Sequence, residues 1–486
     1  MVVGEIAMGT DLLVIGAGPG GYVAAIRAAQ LGQEVTLVEE APTLGGICLN
    51  HGCIPSKALI YAASLYHRIP ELAALGIQTK GLKLDIKKLQ SWKASVVKKL
   101  TGGVAQLCRG HDIQVLQGKA VFTSAKRVLV ENEHGTQAIE FKRCIVATGS
   151  RPIEIPGFGF DGQMVIGSRQ ALELEEVPEK LLIIGGGYIG LELGTVWAKL
   201  GAQVTVIEMM DQLLPGTDPE LLQPVARQLK KLGVEVHLQT KAKSLKSGKD
   251  GVKIIAESPK GELKLEAEKV LVSVGRVPNT EGLEPQQGRI ELTERGFIRV
   301  NGQLQTSNPH IYAIGDVAGQ PMLAHKASHE GIVAAEIISG LPSGPDWQVV
   351  PAVIFTDPEI AYCGLSEKQA QEQGLKPLIG KFPFAALGRA VTMSETEGYV
   401  KIIADADSKQ VLGVQIVGPE ASNLISEAAL AIELGTRLED LALTVHPHPT
   451  LPEGLMEAAE VALGQAIHVL LPKKKGRVTL GSELVS

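Results

Sequence analysis

Two cysteines in a short, glycine-flanked stretch are the residues of this sequence with the clearest chemistry. Cys48 and Cys53 lie in GGICLNHGCIPSK, residues 45–57. A regular helix would place side chains five residues apart on different faces, so joining these two requires a bend. Gly52 and Pro55 make such a bend plausible. The stretch therefore predicts a redox-active cysteine pair.

A nucleotide-binding unit comes just before the cysteines. The apolar strand Asp11–Ile15 leads into the glycine sequence GAGPGG, and a helical stretch then leads to a second strand. Gly16 permits the tight turn, Gly18 lets backbone N–H groups approach a pyrophosphate, and Gly21 lets the helix pack on its strand. Glu39 closes the second strand, where its carboxylate can accept hydrogen bonds from a ribose.

The chain repeats this whole pattern once. The strand Leu181–Ile184 is followed by Gly185, Gly187 and Gly190 in GGGYIG, and a second apolar strand ends at Glu208. The first glycine and the acid are 23 residues apart in both copies. One glycine motif alone is weak, but strand, turn, helix and acid recurring at one spacing predict two dinucleotide sites. Two dinucleotides and a dithiol indicate an electron relay.

Composition places the chain among α/β proteins of about three domains. It has 486 residues, 45% of them apolar, and 47 basic against 53 acidic residues give a net charge of −6. This balance gives no basic field for nucleic acid. The first apolar run is too short for a signal sequence or a membrane span, and no arginine-rich leader precedes it. We therefore expect a cytoplasmic protein with no membrane span.

The other three cysteines are expected to be inert. Cys108, Cys144 and Cys363 are scattered along the chain, and an odd total of five argues against a secreted disulfide framework. Metal ligation would need further Cys or His residues at close spacing, and the sequence has no such cluster. We predict no metal site.

The remainder of the chain suggests further parts of the same machinery. Gly149 follows a buried strand at a glycine turn, and Asp316 ends another buried strand where its carboxylate could hold a polyol chain. From residue 351 onward, apolar strands at Tyr399–Ile403 and Val411–Val417 are interspersed with amphipathic helices. This pattern is typical of an α+β domain, and it contains no nucleotide motif.

Taken together, these motifs resemble the pyridine nucleotide–disulfide oxidoreductase family, and within it the dihydrolipoamide dehydrogenase branch. The resemblance extends nearly end to end. Its motifs are the Gly16–Gly21 loop, GGICLNHGCIPSK at 45–57, ATGS at 147–150, GGGYIGLELG at 185–194, GRVPNT at 275–280, YAIGDV at 312–317, MLAH at 322–325 and HPHPTLPE at 446–453.

The resemblance implies an α/β fold with two Rossmann-like dinucleotide-binding domains and a C-terminal α+β dimerisation domain. It implies FAD on the first glycine motif, NAD on the second, and a homodimer whose C-terminal domain completes each active site. The expected divisions are residues 1–151 (FAD-binding), 152–281 (NAD-binding), 282–350 (completing the FAD site), 351–472 (dimerisation) and 473–486 (tail). From its motifs, Gly275 and Ala324 join the expected cofactor-binding residues.

The resemblance also assigns roles around the cysteines. Cys48 exchanges with the substrate disulfide or dithiol, and Cys53 lies against the flavin and passes electrons to it. Lys57 and Glu192 pair near the flavin, where Lys57 stabilises negative charge. Glu192 stands in an otherwise apolar helix, so an inward-facing acid there needs a partner such as a lysine. The alternative for Lys57 is a solvated helix lysine.

A thiolate is the attacking species in disulfide exchange, so the site needs a base. In the family motif that base is the histidine before Pro-Thr, here His448, and Glu453 orients it. Alternatives stay open, because Thr450 and Glu453 have the spacing of a capping box, and Glu453 could cap the following helix or do both. His448 alone would more often be a structural histidine.

The same segment departs from the family pattern at two positions. Pro447 and Pro452 replace what are usually alanine and serine, and proline removes an N–H and restricts the preceding residue. The two prolines therefore restrict the conformations of the loop that positions the base. His446 is expected to support the loop or contact the dimer partner, without acting in catalysis.

The second dinucleotide site favours NAD over NADP. Glu208 would repel a 2′-phosphate and accept hydrogen bonds from a free 2′-hydroxyl. Gly190 agrees, because NADP-specific relatives such as glutathione reductase often carry alanine there and arginines beyond the second strand. Mercuric reductase would have cysteines near the C-terminus, whereas the last cysteine here is Cys363.

These observations predict an enzyme that oxidises protein-bound dihydrolipoamide with NAD+ through the cysteine pair and FAD. The expected partners are a lipoyl-bearing acyltransferase subunit or a lipoyl carrier protein, in 2-oxoacid dehydrogenase complexes, glycine cleavage or both. The alternatives are a glutathione reductase-like enzyme, a flavin NADH oxidase or transhydrogenase, and a scaffold that binds FAD and NAD without catalysis. Joint retention of Cys48, Cys53, His448 and Glu453 argues against the scaffold.

Overall fold

A computed structural model describes residues 7–248 and 251–471. Within it the chain divides into two compact units. The first runs to Thr217 and resumes over Arg227–Asp346, and the second contains Asp218–Ala226 and the chain from Trp347 onward. The expected tail, residues 473–486, lies outside the described residues. The domain boundaries expected from the sequence stay predictions.

The described chain alternates strands and helices over most of its length. Its strands are β1 (Met8–Ile15), β2 (Val35–Glu39), β3 (Gln114–Gln117), β4 (Lys119–Ser124), β5 (Arg127–Asn132), β6 (Gly135–Val146), β7 (Ser150–Pro152), β8 (Val165–Ile166), β9 (Lys180–Ile184), β10 (Gln203–Ile207), β11 (Glu235–His237), β12 (Lys241–Ser247), β13 (Val252–Ser258), β14 (Gly261–Ala267), β15 (Lys269–Val272), β16 (Arg276–Pro278), β17 (Ile311–Ala313), β18 (Ala352–Ile354), β19 (Glu359–Gly364), β20 (Pro377–Pro383), β21 (Tyr399–Asp405) and β22 (Val411–Gly418). Its α-helices are α1 (Pro19–Gln30), α2 (Gly46–His51), α3 (Cys53–Arg68), α4 (Ile86–Gly110), α5 (Ser168–Leu172), α6 (Tyr188–Lys199), α7 (Pro219–Lys231), α8 (Ala324–Ile338), α9 (Glu367–Glu372), α10 (Gly388–Met393), α11 (Ala421–Glu433), α12 (Leu438–Leu443) and α13 (Glu453–Leu463).

The first glycine motif lies at the end of a parallel sheet. Strands β3, β2, β1, β6 and β17 pair in parallel, and β5 and β4 extend β6 as an antiparallel meander. The C-terminal half of β1, Leu12–Ile15, is buried, which is why this half reads as a continuous apolar run. Each fully buried Leu, Ile or Val there contributes about 1.5–3 kcal/mol relative to its exposed state.

Small residues let α1 and α8 pack closely beside this sheet. A Cβ built on Gly331 of α8 would lie 2.5 Å from the Gly20 carbonyl oxygen of α1, so a larger residue would force the two helices apart. Arg27 and Glu336 add an ion pair between the same helices, with Nη2 and Oε1 2.6 Å apart. The distant segment that carries Asp316 is thus fixed next to the first glycine motif.

The second glycine motif belongs to a separate parallel sheet of the first unit, with strand order β11-β10-β9-β15-β8. A three-stranded antiparallel sheet, β12-β13-β14, shares its apolar core. Both glycine motifs therefore follow a strand that has a parallel neighbour on each side, at the edge where the carboxyl ends of the strands form a ligand crevice.

The second unit is built on a five-stranded antiparallel sheet of order β18-β19-β22-β21-β20. Helices α11, α12 and α13 cover its apolar face around one core that includes Phe382, Phe384 and Leu455. The strands and helices expected from residue 351 onward are confirmed in kind, with ends shifted by one to two residues. Together the units have the α/β architecture expected from the sequence.

Candidate active site

The cysteine stretch forms two helices with a break between them. Helix α2 ends at His51, α3 begins at Cys53, and Gly52 between them has φ −137° and ψ −113°. A Cβ on Gly52 would lie 2.9 Å from the Ile47 carbonyl oxygen, so the break requires glycine. Cys48 and Cys53 consequently come within 3.1 Å of each other. The expected bend is confirmed.

The two thiols differ in how readily they lose a proton. The hydrogen bond from Cys48, assisted by the positive charge of Lys57 and opposed by burial, lowers the pKa of Cys53 to about 7. The same hydrogen bond, together with burial and the charge on Cys53, raises the pKa of Cys48. Cys53 is therefore the thiolate of the reduced pair near neutral pH, and Cys48 holds its proton until a base removes it.

Lys57 and Glu192 form the expected ion pair. The lysine Nζ lies 2.8 Å from Glu192 Oε2, and Ser56 Oγ donates to the same oxygen at 3.3 Å. Glu192 is 4% exposed, so its charge is balanced by these neighbours rather than by water. The expected role of the pair at a flavin stays a prediction.

A cavity of about 600 Å³ in the first unit brings most of the expected cofactor residues together. This volume lies in the range of small-molecule and cofactor sites, roughly 300–1,000 Å³. Of the residues expected from the sequence, the cavity is lined by Gly16, Gly18, Glu39, Cys48, Cys53, Lys57, Gly149, Glu192, Asp316 and Ala324. The glycine loop, the ion pair and both cysteines therefore share one cavity, as a bound FAD would require.

The first glycine loop has the backbone that the motif predicts. Gly16 has φ +96°, and a Cβ on Gly21 would lie 1.8 Å from the Gly16 carbonyl oxygen. Glu39 accepts the N–H of Ala17 at 2.7 Å and the N–H of Ala41 at 2.9 Å. Its carboxylate therefore ties the loop to the end of β2, and the expected contact with a ribose stays a prediction.

The second glycine loop repeats this arrangement. Gly185 has φ +107°, and a Cβ on Gly190 would lie 2.4 Å from the Gly185 carbonyl oxygen. Glu208 accepts the N–H of Gly186 at 2.6 Å and the N–H of Met210 at 2.7 Å. A Cβ on Gly187 would meet only open space, so the described part of the chain leaves room for a phosphate there. The residues of this loop fit NAD.

Several supporting residues around Asp316 were not predicted from the sequence. Ser150 Oγ donates to Asp316 at 2.5 Å, and Arg276 in turn donates to Ser150 Oγ at 2.8 Å. Glu330 accepts the Gly315 N–H at 2.7 Å and pairs with Lys326 at 2.7 Å. Helix α8 also carries two histidines, a lysine and a second glutamate, so no local pattern in the sequence singled out Glu330.

Gly275 contributes to the same region through the backbone. It has φ +130°, which favours glycine, and its carbonyl accepts the Ile153 N–H at 3.0 Å. It shapes the turn before β16 and is not among the residues that line the cavity.

In the second unit, His448 and Glu453 form the expected pair. His448 Nδ1 lies 2.8 Å from Glu453 Oε1, and Glu453 Oε2 accepts the Thr450 N–H at 2.7 Å. The carboxylate thus orients the histidine and holds the Thr450 backbone. Helix α13 itself begins at Glu453 with Pro452 as its N-cap and no side-chain capping bond, so the orienting alternative holds and the capping alternative does not. Burial opposes the effect, but the Thr450 and His448 contacts lower the pKa of Glu453 and keep it ionised.

The flanking residues show how this loop is held despite its prolines. Thr450 Oγ1 donates to the Pro447 carbonyl oxygen at 2.7 Å, and Pro452 directly precedes α13. His446 is nearly buried, with Nε2 2.8 Å from Glu427 Oε1. Its contact supports the loop, as expected, and the prolines leave the His448–Glu453 pair intact. The cysteines belong to the first unit and this pair to the second.

Two absences hold for residues 7–248 and 251–471. No group of three or more His, Cys, Asp or Glu side chains there could hold a metal ion. No helix in the same ranges is long and apolar enough to cross a membrane.

A cysteine pair beside a dinucleotide cavity, with a second dinucleotide loop in the same unit, defines a flavin- and nicotinamide-dependent disulfide oxidoreductase. The chain belongs to the pyridine nucleotide-disulphide oxidoreductase family, whose pattern matches residues 10–331. The dimerisation domain of that family matches residues 350–459.

Two similar curated proteins are both called dihydrolipoyl dehydrogenase. The protein from Haloferax volcanii is 51% identical over 475 residues, which cover 97% of this chain and all of the relative. The protein from Bacillus subtilis is 50% identical over 471 residues, with the same coverage of both chains.

Solved structures show the same fold at lower identity. LpdA from Mycobacterium tuberculosis superimposes with a TM-score of 0.87 at 27% identity, over 93% of this chain and 99% of that one. The Cu(II) complex of RclA, an HOCl-induced flavoprotein disulfide reductase from Escherichia coli, gives 0.83 at 27% identity with the same coverage.

These comparisons confirm the fold class, the enzyme class and the cofactors expected from the sequence. The protein is a flavoprotein oxidoreductase that uses FAD and NAD. Its dimerisation domain supports the expected homodimer. The roles of the individual site residues stay predictions.

Proposed function

We propose that this protein oxidises dihydrolipoamide to lipoamide with NAD+ as the electron acceptor. The observation that carries the proposal is the cysteine pair of α2 and α3, whose members lie 3.1 Å apart within a chain about half identical to dihydrolipoyl dehydrogenases over nearly its whole length. A dithiol substrate and a protein disulfide exchange electrons directly, without further cofactors at the sulfur atoms.

The proposed thiol–disulfide exchange takes place between the substrate dithiol and the Cys48–Cys53 disulfide. A substrate thiolate attacks the Cys48 sulfur of the oxidised pair, the bond between the cysteines breaks, and Cys53 leaves as a thiolate. The second substrate thiolate attacks the substrate sulfur of the resulting mixed disulfide, Cys48 departs and takes up a proton, and lipoamide closes. Two electrons then reside on the cysteine pair. The low pKa of Cys53 makes it a good leaving group.

The base in this scheme is His448. Because its Nδ1 lies at the Glu453 carboxylate, we assign the proton of the neutral ring to Nδ1, which leaves the Nε2 lone pair to accept a proton from a substrate thiol. Glu453 then stabilises the imidazolium that forms. The His448 side chain is 76% exposed and therefore accessible to a carried substrate.

When bound, FAD would supply the two-electron carrier between the cysteine pair and NAD+. Asp316, with Ser150 behind it, would hold the ribityl chain, and the Gly16–Gly21 loop would hold the pyrophosphate. Lys57 would stabilise negative charge on the reduced ring. Glu208 would read the free 2′-hydroxyl of NAD.

The partners follow from the substrate. We propose that the lipoyl group is delivered by an acyltransferase subunit or a lipoyl carrier protein, as in 2-oxoacid dehydrogenase complexes or glycine cleavage. The cytoplasmic location expected from the sequence stays a prediction.

The test compares substrates under steady-state conditions. With FAD bound, the protein should form NADH from dihydrolipoamide and NAD+, and should turn over glutathione disulfide with NADPH poorly or not at all. Turnover of glutathione disulfide in place of dihydrolipoamide would move the protein to the glutathione reductase-like alternative. Bound FAD with neither activity would support the scaffold alternative.

A further inference from the structure

Helix α13 carries three acids on one face. Glu453, Glu457 and Glu460 follow each other at spacings of four and three residues, which places them side by side along the helix. Glu453 is paired with His448, as described above. The second acid is paired with a second histidine from the chain beyond the helix.

This second pair joins Glu457 and His468. His468 Nδ1 lies 2.5 Å from Glu457 Oε1. The Glu457 side chain is 5% exposed, whereas that of His468 is 66% exposed. Within residues 7–248 and 251–471, the other carboxylate oxygen, Glu457 Oε2, has no hydrogen-bond partner. His468 is therefore the main group that balances the charge of the buried Glu457 carboxylate.

The fold of the chain after α13 holds His468 in this place. Gly464 ends the helix in the left-handed region at φ +75°, and the Gln465 N–H donates to the Glu460 carbonyl oxygen at 2.9 Å. Val469 then packs against the apolar core of the second unit. The backbone turn at Gly464 thus precedes His468, and the apolar contact of Val469 follows it. Together they hold His468 against α13.

The electrostatics favour a positive charge on His468. Its hydrogen bond with Glu457, the charge of that carboxylate and the charges of Glu460 and Glu453 together raise the pKa of His468. Burial and the charge on Glu457 raise the pKa of Glu460. A buried carboxylate without a cationic partner is costly, so Glu457 and His468 stabilise each other as an ion pair.

The charged groups on the elements packed against α13 have other partners. On β20 and β21, Lys381 and Lys401 both contact Glu220. On α12, Glu439 pairs with Arg437, and Asp440 accepts the Arg437 N–H. In the described part of the chain, His468 is therefore the cation that faces Glu457.

We propose that Glu457 and His468 are a positioning pair for the dithiol reaction, which keeps the charge beside Glu453 balanced so that His448 stays neutral and able to accept a proton. This inference rests on the proposed function. Glu457 lies one helical turn from Glu453, so an unbalanced charge there acts on the His448–Glu453 pair.

The proposal predicts that the two single substitutions affect the acid limb of the pH profile differently. His468→Asn leaves a negative charge on Glu457, which favours protonated His448 and moves the acid limb of the pH profile toward higher pH by roughly 0.3–1 pH unit. Glu457→Gln removes the negative charge, so its acid limb stays in place or moves toward lower pH. The double variant carries no net charge at these two positions, as in the original ion pair. Its pH profile should therefore return to that of the wild type.

The experiment measures kcat/KM for dihydrolipoamide against pH in the FAD-bound homodimer, for the wild type and the three variants. His134→Asn, at an exposed turn of the first unit, is the matched control and should leave the profile unchanged. Bound FAD and NADH-driven dye reduction should stay at wild-type levels in all five proteins, because neither uses His448. FAD content and dye reduction also show whether each variant has folded. We expect the His468 variants to fold, because that side chain is largely exposed.

An acid limb that does not move in His468→Asn would overturn the proposal, as would a double variant shifted as far as that single one. A uniform loss of kcat in all three variants with unshifted profiles would mean that the pair only stabilises the loop. A wild type that cannot oxidise dihydrolipoamide would refute the proposed function itself, a result distinct from an unshifted profile.

Discussion

The glycine loop at Gly16–Gly21 and the glycine loop at Gly185–Gly190 are built alike, yet the glycines of only the first line the cavity of the cysteine pair. The second loop meets that cavity through Tyr188 and Ile189. Both follow a strand with a parallel neighbour on each side. In both, the acid 23 residues after the first glycine accepts one N–H of the loop and one N–H two residues beyond itself. The repeated backbone therefore supplies two places for a dinucleotide. It does not determine the chemistry at either place.

The difference lies in the neighbouring elements. Helices α2 and α3 border the cavity of the first loop with two thiols and Lys57, and α6, the helix after the second loop, supplies Glu192 as the partner of that lysine. The second loop has a buried Glu208 followed by Met209 and Met210, with no reactive group among these residues. The comparison teaches that one loop serves electron exchange and the other serves recognition of a nucleotide. Each prediction below separates these two tasks.

Cys48→Ser should break the chemistry of the first loop and leave the second intact. Dihydrolipoamide turnover should fall by at least about 10³-fold, because the sulfur that exchanges with the substrate is gone. FAD content and NADH binding should be retained, and both are measured on the purified variant. Cys108→Ala, a buried thiol of α4, is the control and should stay active. Full turnover in Cys48→Ser would rule out the dithiol exchange.

His448→Gln should slow dihydrolipoamide oxidation by roughly 10²–10⁴-fold, the usual contribution of a general base. Reduction of the flavin by NADH should change much less, since that step belongs to the second loop. Stopped-flow measurement of the two half-reactions provides the comparison, with His134→Gln as the surface control. If both half-reactions slowed equally, His448 would not be the base.

Alanine at Gly21 and at Gly190 should affect the two cofactors separately. The added Cβ would lie 1.8 Å from a carbonyl oxygen at Gly21 and 2.4 Å at Gly190. Overpacking of this kind costs about 1–3 kcal/mol, with the greater cost expected at Gly21. Gly21→Ala should lower FAD content and thermal stability, and Gly190→Ala should mainly raise the KM for NAD+. Gly102→Ala, in an open position of α4, is the control. A loss of FAD from Gly190→Ala would contradict the separation.

Glu208→Ala should change nucleotide choice at the second loop. Loss of a hydrogen bond to a charged acceptor costs about 1.5–3 kcal/mol, so kcat/KM for NADH should fall roughly 10- to 150-fold. Use of NADPH should rise relative to NADH, because a negative charge has been removed. The matched control is Glu39→Ala, which should weaken FAD binding and leave the NADPH to NADH ratio unchanged. An unchanged ratio in Glu208→Ala would mean that this acid does not read the ribose.

Sequence reasoning succeeded where a local pattern fixes the backbone. Gly16 and Gly185 mark turns that need positive φ, and the spacing to the acids repeats, so both sheets and both loops could be predicted. The bend at Gly52 followed from helix geometry in the same way.

Contacts between distant segments could not be read in this way. Glu330 supports the Gly315 backbone, Ser150 holds Asp316, and Glu457 pairs with His468 through folding that no short motif encodes. The assignment of Asp218–Ala226 to the second unit is another example, since those residues stand within the sequence of the first. Helices α8 and α13 each carry other charged residues, so no local pattern singled out Glu330 or Glu457.

The most direct test of the central claim is an anaerobic titration of the FAD-bound protein with dihydrolipoamide, followed by addition of NAD+, with visible absorption recorded throughout. The account predicts a long-wavelength band from the Cys53 thiolate beside the flavin, which disappears as NADH forms. Since the pKa of Cys53 is about 7, the thiolate and the band should strengthen above neutral pH and fade below it. A flavin that reacts with NADH but stays oxidised with dihydrolipoamide would contradict the proposed dithiol substrate.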